Sequence, residues 1–158
     1  MLKSIKYLFV IVLFIQCTST QKESEKTITS SEVEIAKNLI QGSFDDLWGG
    51  ADSTKILNYH TEDFVILEHG EIWDNDRIKE FMRSKLARPV QYKRINKMDY
   101  ISIDKYGESM QIAYWNDGEF YDKDSLVFEL RWLESALAVT TEKGWRLKMM
   151  HSTRVQKE

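Results

Sequence analysis

The chain has 158 residues, with 22 Lys+Arg against 25 Asp+Glu, a formal charge of −3, and one cysteine. A single cysteine excludes an internal disulfide. A mildly acidic chain with scattered lysines also lacks the concentrated basic face that nucleic-acid binding requires. In chain order, the first distinct segment is Met1 to Cys17. Lys3 and Lys6 precede the unbroken apolar run Tyr7 to Ile15, and Gln16-Cys17 leads into the polar stretch from Thr18 to Ser31. Basic end, apolar core and processing site are the layout of an export signal. The run is too short for a membrane-spanning helix, which needs roughly 20 apolar residues. It also lacks the polar face of a surface helix.

Cys17, directly after the apolar run, is similar to the lipobox cysteine of bacterial lipoproteins, which is acylated and becomes the new N-terminus. That resemblance implies a protein held at the membrane by a lipid on Cys17; the alternative is cleavage nearby and a soluble exported product. Residues 18–30 offer little to bury and read as a flexible tether. Residues 31–156 are long enough for one domain with its own core. Removing residues 1–17 takes away Lys3 and Lys6 and no acid, leaving 20 Lys+Arg against 25 Asp+Glu, a charge of −5.

Ser31-Glu32-Val33-Glu34 fits a capping box opening a helix. Val33, Ala36, Leu39, Ile40, Phe44, Leu47 and Trp48 follow at helical spacing, and Gly49-Gly50 ends it. Asp52 or Ser53 caps a short second helix through Tyr59. Phe64 to Glu68 reads as a strand. Asp74-Asn75-Asp76 opens a third helix that stops before Pro89. Four strands are then predicted, at about Val90–Ile103, Glu108–Asn116, Ser125–Thr140 and Gly144–Val155. Asn116-Asp117-Gly118 and Glu142-Lys143-Gly144 carry turn chemistry. In the last strand Trp145, Leu147, Met149, His151 and Thr153 share one face. Helices first and strands last predict an α+β domain.

This order resembles the NTF2-like superfamily. Two segments sharpen the likeness. One runs from Ala51-Asp52 through Leu57 and Tyr59 to Glu62-Asp63-Phe64-Val65. The other, Gly144-Trp145-Arg146-Leu147 leading to His151-Ser152-Thr153, is similar to the closing strand of SnoaL-like and DUF4440-type members. The resemblance implies a cone in which three N-terminal helices pack on a strongly curved antiparallel sheet. It implies little about function, because this fold hosts isomerases, dehydratases, binding modules and assembly subunits. Ketosteroid isomerase, one such member, uses a carboxylate base with a tyrosine and a protonated aspartic acid as oxyanion donors. The resemblance places Glu68 at the base position, Phe44 where the tyrosine stands, and Ser135 or Ala136 at the aspartic-acid position, so both donors are missing.

Glu68, Trp132, Met149 and His151 are the candidate ligand-binding residues, with Glu68 and His151 also the candidate proton carriers. Trp132 and Glu134 lie on one face of their strand and Glu129, Arg131 and Leu133 on the other; a single bulge decides which face enters the cone. Arg131 is placed to pair across strands. His60, His69 and His151 show no metal-ligand spacing, and no nucleophile motif or phosphate loop calls for a cofactor. The sequence leaves open a binder of an unidentified small molecule, an isomerase- or dehydratase-type enzyme using Glu68 or His151, and an interaction module that dimerises through the outer sheet face. The first is preferred, since catalysis needs cooperating groups and only isolated ones are apparent.

Overall fold

Helix α1 spans Ser30–Ser43 in the computed structural model, which describes residues 28–156. Cys17, the export signal and most of the tether lie outside the described residues. The capping box is set two residues earlier than the sequence suggests. The Thr29 side chain accepts from the Glu32 backbone N–H at 3.3 Å, and the Glu32 carboxylate accepts from the Thr29 N–H at 3.0 Å. Glu32 is also paired with Lys105 of the sheet at 2.5 Å, a contact that fixes this register of the cap over the Ser31/Glu34 alternative. Ala36, Leu39 and Ile40 form the buried stripe, each large apolar side chain contributing about 1.5–3 kcal/mol on burial.

Past Ser43 the helix widens into a π-helical segment, Phe44–Gly49, a form often found at functional sites. The glycines that end it act by close approach. A Cβ on Gly50 would meet the Asp46 carbonyl at 2.9 Å, and one on Gly49 would meet the Arg94 carbonyl at 3.3 Å. The left-handed residue at this exit is Ala51, with φ 54°. A 3₁₀ turn (Ser53–Lys55) capped by Asp52 and helix α2 (Ile56–Tyr59) follow. Helix α3 spans Asn75–Leu86 with Asp74 as its cap.

Six strands form one sheet: β1 His60–Glu68, β2 Glu71–Asp74, β3 Lys93–Tyr106, β4 Ser109–Asp122, β5 Ser125–Thr141 and β6 Gly144–Val155. Their spatial order is β2-β1-β6-β5-β4-β3. The architecture is α+β, as expected, but the sheet is mixed rather than wholly antiparallel, because β1 and β6 run parallel. Strand β2, too short to show alternation, returns from β1 through His69 (φ 49°) and Gly70 (φ 88°), the pair of positive φ values that a tight hairpin turn needs.

Asn116-Asp117-Gly118 is not a turn. These residues pair with both β3 and β5 in the middle of β4, and the reversal falls after Asp122, where Lys123 has φ 55°. Gly118 is there to make room, since a Cβ on it would lie 2.8 Å from the Trp132 ring.

The β6 alternation also breaks. Leu147 is buried, then Met150 and Ser152 are buried while Met149 and His151 are exposed. The pairing register slips on both sides of Lys148. This bulge inserts one residue and exchanges the faces of everything after it.

Candidate functional site

A cavity of about 310 Å³ lies between the helices and the inner sheet face, within the size range of small-molecule sites. Its walls include Phe44 and Trp48 from the π-helical segment, Trp73 from β2, Phe81 from α3, Phe120 from β4 and Trp132 from β5. Ring centroids lie 5.7 Å apart for Trp48–Phe81 and 5.4 Å for Trp73–Phe81, so the aromatics brace one another. Lys85 secures the segment that carries Phe44 and Trp48, its Nζ donating to the Trp48 and Gly49 carbonyls at 2.6 and 2.9 Å.

Six polar side chains also line the cavity: Glu68, His69, Arg94, Glu134, Ser152 and Arg154. Glu134 is 5% exposed and belongs to a hydrogen-bonded chain crossing four strands. Asn96 Nδ2 donates to Asn116 Oδ1 at 2.6 Å, Asn116 Nδ2 to Glu134 Oε2 at 3.1 Å, and Ser152 Oγ to Glu134 Oε1 at 2.9 Å. Burial raises the Glu134 pKa to about 7, against the opposing pull of Ser152, Asn116 and Arg94. The fully buried Tyr114 hydroxyl stands in the same environment, its ionisation pushed well up by burial and by Glu134.

Arg94 is a cation among rings. Its Cζ lies 4.9 Å from the Trp132 centroid, 5.4 Å from Phe120 and 5.7 Å from Phe44, within cation–π range. Burial lowers its pKa to about 10, partly offset by Glu134 and Glu68, so it stays charged at neutral pH. Its Nε is buried without a hydrogen-bond partner among the described residues, as is Trp48 Nε1. Neither nearby acid closes on it. Both Glu134 oxygens accept from Asn116 and Ser152, and Glu68 Oε1 lies 2.9 Å from His69 Nε2. Burial raises the Glu68 pKa too, opposed by His69 and Ser152.

Of the residues singled out from sequence, Glu68 and Trp132 meet in this cavity. Met149 and His151 do not. The bulge at Lys148 turns both to the outer face, where Met149 is 38% exposed and His151 is also exposed. Glu68 and His151 therefore cannot share one substrate. Ser135, too, faces outward, paired with His151, while Ala136 is buried against the core. The inward acid is Glu134, one or two residues before the expected position. Phe44, with no hydroxyl, occupies the wall. Arg131 pairs within the sheet as anticipated, its Nε 3.6 Å from Asp117 Oδ1 and its Cζ 4.5 Å from the Trp115 ring.

Sequence reasoning missed Arg94, Asn96, Asn116 and Ser152. A usable signal existed on β5, where Trp132, Glu134, Ala136 and Ala138 share one parity, placing an acid in phase with small buried residues. Among the described residues, no group of three or more His, Cys, Asp and Glu could hold a metal ion.

No family model matches the chain, and no curated protein does. Solved structures do. The CaMKII hub homology domain of Chlamydomonas reinhardtii matches with TM-score 0.65 at 14% identity, over 82% of this chain and 100% of that one. An NTF2-like superfamily protein from Salmonella enterica matches with TM-score 0.62 at 17% identity, over 79% and 91%. The fold is NTF2-like. A ketosteroid isomerase-like protein from Erwinia carotovora atroseptica shares the NTF2-like fold with TM-score 0.59 at 13% identity, over 82% and 100%. Identities this low speak for the fold alone, which serves ligand binding, isomerisation and association in different proteins.

Proposed function

We propose that the protein is an exported domain, held at the bacterial envelope by a lipid on Cys17, that binds a small molecule in its aromatic-lined cavity. The observation that carries the binding reading is the cavity of about 310 Å³, into which aromatic side chains and the polar groups of Glu68, Arg94 and Glu134 converge. An apolar enclosure with a few convergent polar groups is the usual make-up of a ligand site. The export reading rests on the basic-then-apolar segment ending at Cys17.

Mass spectrometry of small molecules carried through native purification of the full chain in mild detergent tests the binding reading. A stoichiometric organic compound lost on denaturation is expected. An empty preparation that also fails to take up any aromatic probe rejects the reading. Cys17→Ser is expected to move the protein from the detergent phase to the aqueous phase, and unchanged partition rejects acylation.

A second reading, isomerase-type proton transfer, is favoured by the placing of the Glu134 carboxyl on the cavity wall, where burial pushes its pKa up to about 7, the range suited to a general acid or base. The outer sheet face, with Leu67, Leu133 and Met149 between 37% and 41% exposed, is the surface through which a second copy would dock. Light scattering of a Leu133→Lys variant tests that arrangement, a mass that falls to the monomer supporting it.

A further inference from the structure

The cavity's charges are arranged in a way that selects among ligands. Arg94 brings a positive charge surrounded by the rings of Phe44, Phe120 and Trp132, and its Nε is left without an acceptor. A buried donor with no acceptor costs about 1–3 kcal/mol, so native structures rarely leave one unless something else completes it. Trp48 Nε1, on another wall of the same cavity, is orphaned as well. Both missing partners are acceptors. The two cavity carboxyls are turned instead to Asn116, Ser152 and His69.

The same two carboxyls limit how much negative charge can enter. A dianion such as a phosphate monoester would meet both Glu68 and Glu134, and the second guanidinium of the lining, Arg154, belongs to an exposed residue. A single carboxylate matches the one buried guanidinium, Arg94, in charge and in fork geometry. The remaining walls are aromatic and suit a flat apolar body. We propose, building on the small-molecule reading above, that the cavity receives a monocarboxylic organic acid as its anion, paired with Arg94, and that Glu134 takes up a proton as the ligand enters.

The proton uptake follows from what surrounds Glu134. Arg94 faces it from β3, Tyr114 and Asn116 from β4 and Ser152 from β6, with Glu68 of β1 acting on the same guanidinium. Arg94 is the one cation among these groups, and it opposes the burial that drives the carboxyl toward its neutral form. A ligand carboxylate on Arg94 neutralises that cation and adds a like charge, both of which favour the protonated carboxyl.

Isothermal titration of the full chain in detergent with three matched probes decides the point: 2-naphthoate, its neutral isostere 2-naphthamide, and 2-naphthylmethylammonium. Naphthoate is expected to bind at least tenfold more tightly than the amide at pH 7, with the ammonium weakest. Arg94→Gln is expected to erase the preference while leaving amide binding in place. Above neutrality, naphthoate affinity is expected to fall by about tenfold per pH unit, the limit for one linked proton. Titrations in phosphate and Tris should report that uptake, and Glu134→Gln should abolish it.

Equal or tighter binding of the amide overturns the anion assignment and leaves the binding reading standing. Failure of all three probes to bind at millimolar concentration overturns both. Tight naphthoate binding without proton uptake overturns the role given to Glu134. The probe comparison on the unaltered protein needs no variant, so a misfolded Arg94→Gln does not shield the proposal.

Discussion

Two buried polar clusters sit at different places under the same sheet, and they are built to opposite ends. Around His60, 1% exposed, the ring stacks on Phe64 at 3.7 Å. Its Nδ1 lies 3.0 Å from Asn75 Oδ1, and Asn75 Nδ2 donates to the Thr61 and Glu62 carbonyls at 2.8 and 3.2 Å. Those two carbonyls fix the amide orientation, so the proton sits on Nδ1. The cluster ties the start of β1 to the start of α3 and leaves His60 Nε2 and Thr61 Oγ1 without partners among the described residues. Around Glu134 and Arg94 the polar groups instead border open volume, and the atoms without partners include Nε of a cation whose side chain lines that volume. A buried polar group bonded to its own backbone serves folding, whereas one aimed at space without a partner is kept for something that arrives.

The two clusters also titrate with opposite sign. Burial lowers the His60 pKa to about 4, with Asn75 opposing. The unfolded imidazole, near 6.5, takes a proton first, so this group's stabilising contribution is present above pH 6.5 and is lost as pH falls toward 4. Glu134 is raised from 4.5 to about 7. Its contribution is present below pH 4.5 and is lost as pH rises through 7. Between about 4.5 and 6.5 the two slopes oppose each other.

The largest expected effect is at His60. His60→Ala removes a stacked ring and strands the Asn75 amide, and should cost about 4 kcal/mol in denaturant unfolding at pH 7. It should also uncover a fall in stability with rising pH between 5 and 7. A loss below 1 kcal/mol would erase the distinction between the clusters. Next is Glu134→Gln, which keeps the shape without the charge. At pH 8 it should stabilise by on the order of 3 kcal/mol, and at pH 4.5 by nearly nothing. Thermal melts across that range check the sign, and a variant less stable at pH 8 would show that the ionised carboxylate is well solvated in the cavity. Smallest is His151→Ala on the outer face, expected within about 0.5 kcal/mol of the parent and without effect on probe binding. A loss of binding there would mean that β6 presents its other face to the ligand.

The fold was legible because its signals are local and repeated. The stripe Ala36, Leu39, Ile40, Phe44 marked α1 and its π-helical continuation, Pro89 bounded α3, and four successive runs after Val90 marked β3 to β6. The site was less legible because it depends on parity across single-residue irregularities. Lys148, ordinary as a residue, bulges β6 and turns His151 outward while bringing Ser152 in. Asn116-Asp117-Gly118 has turn composition, yet each member is used in mid-strand: Asn116 in the Glu134 chain, Asp117 against Arg131, Gly118 beneath Trp132. Arg94 carried no sequence signal at all, since an arginine in an edge strand ordinarily points to water.

The Trp132 ring approaches the bare backbone at position 118, with no room for a methyl group between. The depth of the chamber is therefore set by an atom that is missing. A side chain at 118 would displace the indole, which is both a wall of the cavity and one of the rings around Arg94. Capacity and chemistry are thus coupled through one glycine of strand β4.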